Sequence, residues 1–123
     1  MQARPFIAIA AILMFTGVAA GAFGAHGLKQ MLSADMLAIW QTAVTYQMVH
    51  GLGMLALGIM LQQQDNALLR KAAWAMLAGV IIFSGSLYAL ALTGIRILGA
   101  ITPIGGVAFL AGWAMLAWAA IRR

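Results

Sequence analysis

The side chains of this 123-residue chain with a pKa nearest neutrality are His26 and His50, and each stands in a His-Gly-Leu triplet, in "GAFGAHGLKQ" (21–30) and "YQMVHGLGML" (46–55). A metal centre needs three or four ligands. Only Asp35 joins the two histidines as a plausible donor, and the close His-x-x-x-His spacing is missing. A proton relay through imidazoles is chemically reasonable, but no Asp or Glu lies inside an apolar run to complete a path across a bilayer. The serines at 33, 84 and 86 include "FSGSLY", which lacks the Gly-x-Ser-x-Gly turn that exposes a nucleophile. No carboxylate stands within the apolar runs to orient a histidine as a base. Cysteine is absent, which removes thiol catalysis, thiolate metal sites and disulfides. The sequence therefore reads as no enzyme, with no cofactor and no metal.

A different chemistry is offered by the polar residues that share one stretch with His50. At 100° per residue, Gln41, Thr42, Thr45, Tyr46 and His50 fall on one broad arc of a helix, and Trp40, Val44, Met48 and Leu55 on the opposite one. Polar groups in hydrocarbon need partners, so the first arc is expected to face protein and the second lipid. Gln47 falls between them. Ser84 and Tyr88, four apart on another helix, are the expected partners, and His26, Arg96 and Thr102 lie near the same end. The ten residues His26, Gln41, Thr45, Tyr46, Gln47, His50, Ser84, Tyr88, Arg96 and Thr102 thus form a candidate polar cluster. It either fixes helix register or lines an outward-facing pocket, which Arg96 would suit to an anionic or polar-headed amphiphile. For His50 itself a hydrogen-bonded register role is the preferred reading, and for His26 an interfacial loop position.

The elements that must position these residues follow from composition. Apolar residues make up 65% of the chain and charged residues 7%, which excludes an ordinary soluble domain and places the chain in the membrane class. The net charge of +5 comes from basic residues scattered singly or in pairs, not from a patch suited to nucleic acid. Four apolar runs predict an all-α, integral membrane four-helix bundle in a single domain, with helices over about 5–24, 34–61, 69–93 and 103–121. The first run resembles a signal peptide, with Ala20-Gly21-Ala22 as a cleavage-like site, but its apolar stretch exceeds the usual signal core and it is expected to be retained. Ser33 predicts an N-cap with Asp35 in the first turn. Gln62 to Asn66 marks an exit, Gly94-Ile95-Arg96 ends the third run, and Thr102-Pro103 predicts a cap followed by proline at the first helical position. Arg4, Arg70, Lys71, Arg122 and Arg123 on one side against Lys29 and Arg96 on the other predict both termini in the cytoplasm. Small residues predict close helix approach: Gly17, Ala20, Gly21 and Gly24 on the first helix, Gly51 and Gly58 on the second, and Gly105, Gly106 and Gly112 on the fourth. Such faces serve packing within one copy or a homo-oligomer.

The stretches "GAFGAHGL", "WQTAVTYQMVHGL", "FSGSLYALAL" and "ITPIGGVAFLAGWAM" resemble, in order and over nearly the whole chain, a family of small inner-membrane proteins. It is the domain of unknown function 423 family, also called YgdD-like, and it is similar to the eukaryotic transmembrane protein 256. The resemblance implies a four-helix, multi-pass protein of the bacterial inner membrane. It supplies no activity and no site residue. Two classes of function remain open: a structural or accessory membrane protein, alone, as a homo-oligomer or in a larger membrane complex, and a small transporter, channel or lipophile-binding protein. Mini-transporters that use an acidic residue in the first helix are disfavoured, since none is present there.

Overall fold

The computed structural model describes residues 3–122; Arg123, counted above in the charge asymmetry, lies outside them. Four helices are present, α1 (Ala3–His26), α2 (Ala34–Gln63), α3 (Ala67–Thr93) and α4 (Thr102–Ile121), and the described residues include no strand. Each of the four apolar runs is long enough to cross a bilayer. At about 1.5 Å per residue α2 is about 45 Å long and overruns the roughly 30 Å hydrocarbon layer, whereas the 20 residues of α4 match it.

The helix ends follow local chemistry. Ser33 accepts from the Met36 amide at 3.2 Å and Asp35 occupies the first turn of α2, as its sequence predicts. Asn66 caps α3 by accepting from Leu68 and Leu69, so this helix begins two residues before the expected start. Gly94 ends α3 at φ 72°, the left-handed conformation that glycine reaches without penalty. The fourth helix departs from expectation at its start. Thr102 makes no cap; its hydroxyl pairs with Ser86 across to α3, and Pro103 alone marks the turn into α4. Short 3-10 turns, Leu28–Gln30 and Arg96–Ala100, close the two connections at the end of the bundle opposite the chain termini, called the loop end here.

The helices are laid side by side in chain order. α1 packs on α2, α2 also on α3, and α3 on α4, so α2 and α3 are the inner helices while α1 and α4 expose most of their apolar surface. At the terminal end a dry core joins Phe6 and Ala10 to Met54, Leu57, Leu61, Leu69 and Met76, with Phe6 meeting the edge of Trp74 at 5.0 Å. At the loop end Leu28 folds in beneath Trp40 and Ala91 and pins the 26–33 connection.

The seam between α1 and α2 overturns the expected orientation of α2. Trp40, Val44 and Met48 do not face lipid. They enter the surface left open by Gly24, Gly21 and Gly17, where an added Cβ would lie 2.7 Å from the Trp40 ring, 3.3 Å from Val44 and 2.7 Å from the Met48 sulfur. Small residues on one helix and bulky ones on the other are complementary halves of a single contact. α3 is interrupted by one wide π turn at Val80–Ser84. Gly105 of α4 lies against that turn so closely that a Cβ would stand 2.4 Å from the Phe83 backbone nitrogen.

Candidate functional site

The hub of the polar residues is Gln47, the one that fell between the two arcs. Its side chain is buried and links three helices. The Nε2 group donates to the Leu13 carbonyl at 2.9 Å and to the Thr16 hydroxyl at 2.8 Å on α1, and Oε1 accepts from the Tyr88 hydroxyl of α3 at 2.6 Å. Thr16 was not among the expected residues. Its hydroxyl also donates to its own helix, which left it looking self-sufficient in the sequence.

His50 forms a second junction, near the middle of α2. Trp113 donates its indole N–H to Nε2 at 3.0 Å, and Nδ1 lies 2.8 Å from the Tyr46 carbonyl. An indole nitrogen only donates and a carbonyl only accepts. The ring is therefore neutral with its proton on Nδ1, and both nitrogens are engaged. Its faces are covered as well: Phe109 stacks on it at 3.5 Å between centroids, and Tyr46 lies nearly parallel at 5.9 Å.

Two serines make smaller links. Ser84, fully buried in the π turn, donates to the Ala43 carbonyl at 2.7 Å, where a side chain larger than alanine would separate α2 and α3. Ser86 shares a 2.6 Å hydrogen bond with Thr102 and donates to the Phe83 carbonyl. No buried side-chain nitrogen or oxygen among the described residues lacks a partner.

Of the ten candidate residues, Gln47, Tyr88, His50, Ser84 and Thr102 are thus joined between helices. The other five are not drawn together as the sequence suggested. Gln41 and Thr45 are exposed on α2, as is Thr42, and both threonines return their hydroxyls to carbonyls four residues back. These residues can face the membrane because threonine needs no outside partner in a helix. His26, expected in a loop, is instead the last residue of α1, and Arg96 lies on the connection before α4; both are exposed and make no side-chain hydrogen bond among the described residues. Tyr46 is 41% exposed and its hydroxyl has no hydrogen-bond partner among the described residues.

A lateral groove of about 470 Å³ lies between α2 and α4. Tyr46 and His50 form one wall, Phe83 and Phe109 the floor, and α4 from Pro103 to Trp113 the other wall. The groove exists because these two helices meet through their aromatic side chains while their backbones stay apart. Phe83 reaches it from the π turn, a feature with no sequence signature. The matched pairs Tyr46/His50 and Phe109/Trp113, each four residues apart, were the available signal. No charged residue lines it. Among the described residues no three His, Asp or Glu side chains come together as a metal-binding group.

A family model described as "Protein of unknown function (DUF423)" matches residues 20–106, a stretch that holds all ten candidate residues and the hydrogen-bonded links of α2 with α3, while Leu13 and Thr16, the α1 partners of Gln47, precede it. The chain is 53% identical over 113 residues to a UPF0382 membrane protein of Staphylococcus saprophyticus, covering 92% of this chain and 93% of that one. A Staphylococcus haemolyticus UPF0382 membrane protein is 51% identical, with 90% of each chain covered. The UPF0382 membrane protein YwdK of Bacillus subtilis is 44% identical over 120 residues, with 97% and 98% covered. No solved structure matches.

Proposed function

The chain belongs to the DUF423 family of membrane proteins, and we propose that it is a non-catalytic, accessory component of a membrane assembly, inserted with both termini in the cytoplasm. One observation carries this reading. The buried polar side chains are engaged with one another across the helices, while the two flanking helices offer long apolar faces, including Phe15 and Val18 on α1 and Leu110 and Trp118 on α4. A polar network closed in this way fixes register and orientation, with its donors and acceptors spent inside the bundle and not offered to an ion or a hydrophilic solute. Recognition then falls to the membrane-facing surface, where a second copy or a different membrane protein is held by shape and van der Waals contact. The orientation rests on the basic residues. Arg4, Lys71 and Arg122 lie at the terminal end together with Arg70, which is paired with Asp65, and Lys29 and Arg96 lie at the other.

Photo-crosslinking side chains placed at Phe15 and Trp118, both exposed and away from the groove, in intact membranes test the role. A discrete protein adduct, either to a second copy or to one other membrane protein, is the expected result. Adducts to lipid alone at both positions would refute it. The lateral groove, lined almost wholly by carbon, gives specific support to the lipophile-binding alternative.

A further inference from the structure

We infer that the groove between α2 and α4 is a lipid site that takes one acyl chain of an ester-linked phospholipid from the loop-end leaflet, with the Tyr46 hydroxyl donating to the ester carbonyl. The inference is independent of the accessory role. The groove has the depth of one leaflet. Leu61, the last buried apolar residue of α2, marks the terminal-end boundary of the hydrocarbon, and about 20 residues earlier the opposite boundary falls near Gln41. The exposed Gln41, whose side-chain amide has no partner among the described residues, marks that level independently. On α4 the same boundary falls at Thr102-Pro103, because its 20 residues match the layer. The α4 wall from Pro103 to Trp113 then descends about 15 Å, from the interface to the bilayer midplane, the depth of one leaflet.

Chemistry is the second argument. The groove is lined almost wholly by carbon and bears no charge, which suits an alkyl chain and excludes an ionic head. Its one unanswered polar group is the Tyr46 hydroxyl. Side chains on a helix lean toward its N-terminus, so this tyrosine on α2 reaches back toward the loop-end interface, where phospholipid ester carbonyls lie. A hydroxyl facing hydrocarbon without an acceptor is costly. The other polar groups at the wall, the His50 and Trp113 nitrogens, are already paired. A π turn at the floor adds a third observation. It carries Phe83, whose ring lies 4.5 Å from Tyr46 and 5.4 Å from Phe109 and closes the groove from below. Single wide turns of this kind recur at functional sites.

The test uses native mass spectrometry of the full chain in mild detergent, titrated with a diacyl phosphatidylglycerol and with its dialkyl ether analogue, which lacks the carbonyl. Wild type should hold one ester lipid per chain and prefer it over the ether by roughly fivefold, the size of one net hydrogen bond. Tyr46→Phe should abolish that preference while leaving the ether affinity unchanged. Gly106→Leu, which puts a side chain into the groove where a Cβ meets only Phe83 at 3.9 Å, should remove the one-to-one species for both lipids. Equal binding of the two lipids by wild type, or a preference that survives Tyr46→Phe, would overturn the inference. So would a lipid-free dimer that Gly106→Leu dissociates, since the groove would then hold a second copy.

Discussion

Replacing Gln47 with leucine removes the one side chain that ties α1, α2 and α3 together. Three hydrogen bonds disappear: two from Nε2 to the Leu13 carbonyl and Thr16, and one from Tyr88 to Oε1. Side-chain hydrogen bonds in membrane proteins average about 0.6 kcal/mol each, so the three together contribute about 2 kcal/mol. What is left behind differs among the partners. Thr16 keeps its bond to the Ile12 carbonyl, whereas Tyr88 has no other hydrogen-bond partner among the described residues. The stranded hydroxyl adds about 1 kcal/mol, so Gln47→Leu should cost about 3 kcal/mol. Tyr88→Phe alone should cost about 0.6 kcal/mol plus whatever Oε1 loses. In the Gln47→Leu background the same change should cost nothing or restore stability, because it removes the stranded group. Reversible unfolding in mixed micelles, followed by helix content for the two single variants and the double, measures this. Additive single-variant effects, or a loss under 0.5 kcal/mol for Gln47→Leu, would refute the hub.

The same logic applies to His50, whose change to leucine should cost about 1–2 kcal/mol by stranding the Trp113 N–H, with Trp113→Phe nearly silent in that background by the same unfolding assay. Gly105→Ala should be among the most damaging single-methyl additions, about 3 kcal/mol, because its Cβ meets Phe83 backbone atoms that cannot yield; Gly17→Ala meets the end of the Met48 side chain and should cost under about 1 kcal/mol in thermal melts. A cysteine at Lys29 should react with a membrane-impermeant maleimide added outside intact cells and one at Lys71 should not, and the reverse pattern would overturn the proposed orientation.

The helices and their ends were legible because crossing a bilayer sets a length and capping sets a residue type: Ser33, Asp35 and Gly94 act as their types predict. The facing of α2 was not. In water a bulky apolar arc identifies the protein-facing side, but in lipid both surroundings are equally apolar, so Trp40, Val44 and Met48 carried no directional information. The glycines of α1 did carry it, as the sockets those three residues fill. Threonine misled for a related reason, since Thr42 and Thr45 satisfy themselves on their own helix and need not seek the interior. Gln47 does otherwise: its amide has two N–H donors and a separate carbonyl oxygen, and they reach the Leu13 carbonyl, the Thr16 hydroxyl and the Tyr88 hydroxyl of the two neighbouring helices. The π turn, packed against α2 and Gly105, is not registered by single-sequence periodicity.

The hydrogen bonds of α2 also impose an order on the birth of the molecule. Gln47 Nε2 finds Leu13 and Thr16 as soon as the first two helices pair, but Oε1 waits for Tyr88, and His50 Nε2 waits for Trp113, the last helix to leave the ribosome. Each newly inserted helix therefore silences one polar group that its predecessors exposed to hydrocarbon. A chain that ends before α4 leaves the His50 Nε2 acceptor without its indole partner in hydrocarbon, and the finished one does not. Degradation of ribosome-released truncations should accordingly fall in two steps, first when the chain extends past Tyr88 and again when it extends past Trp113.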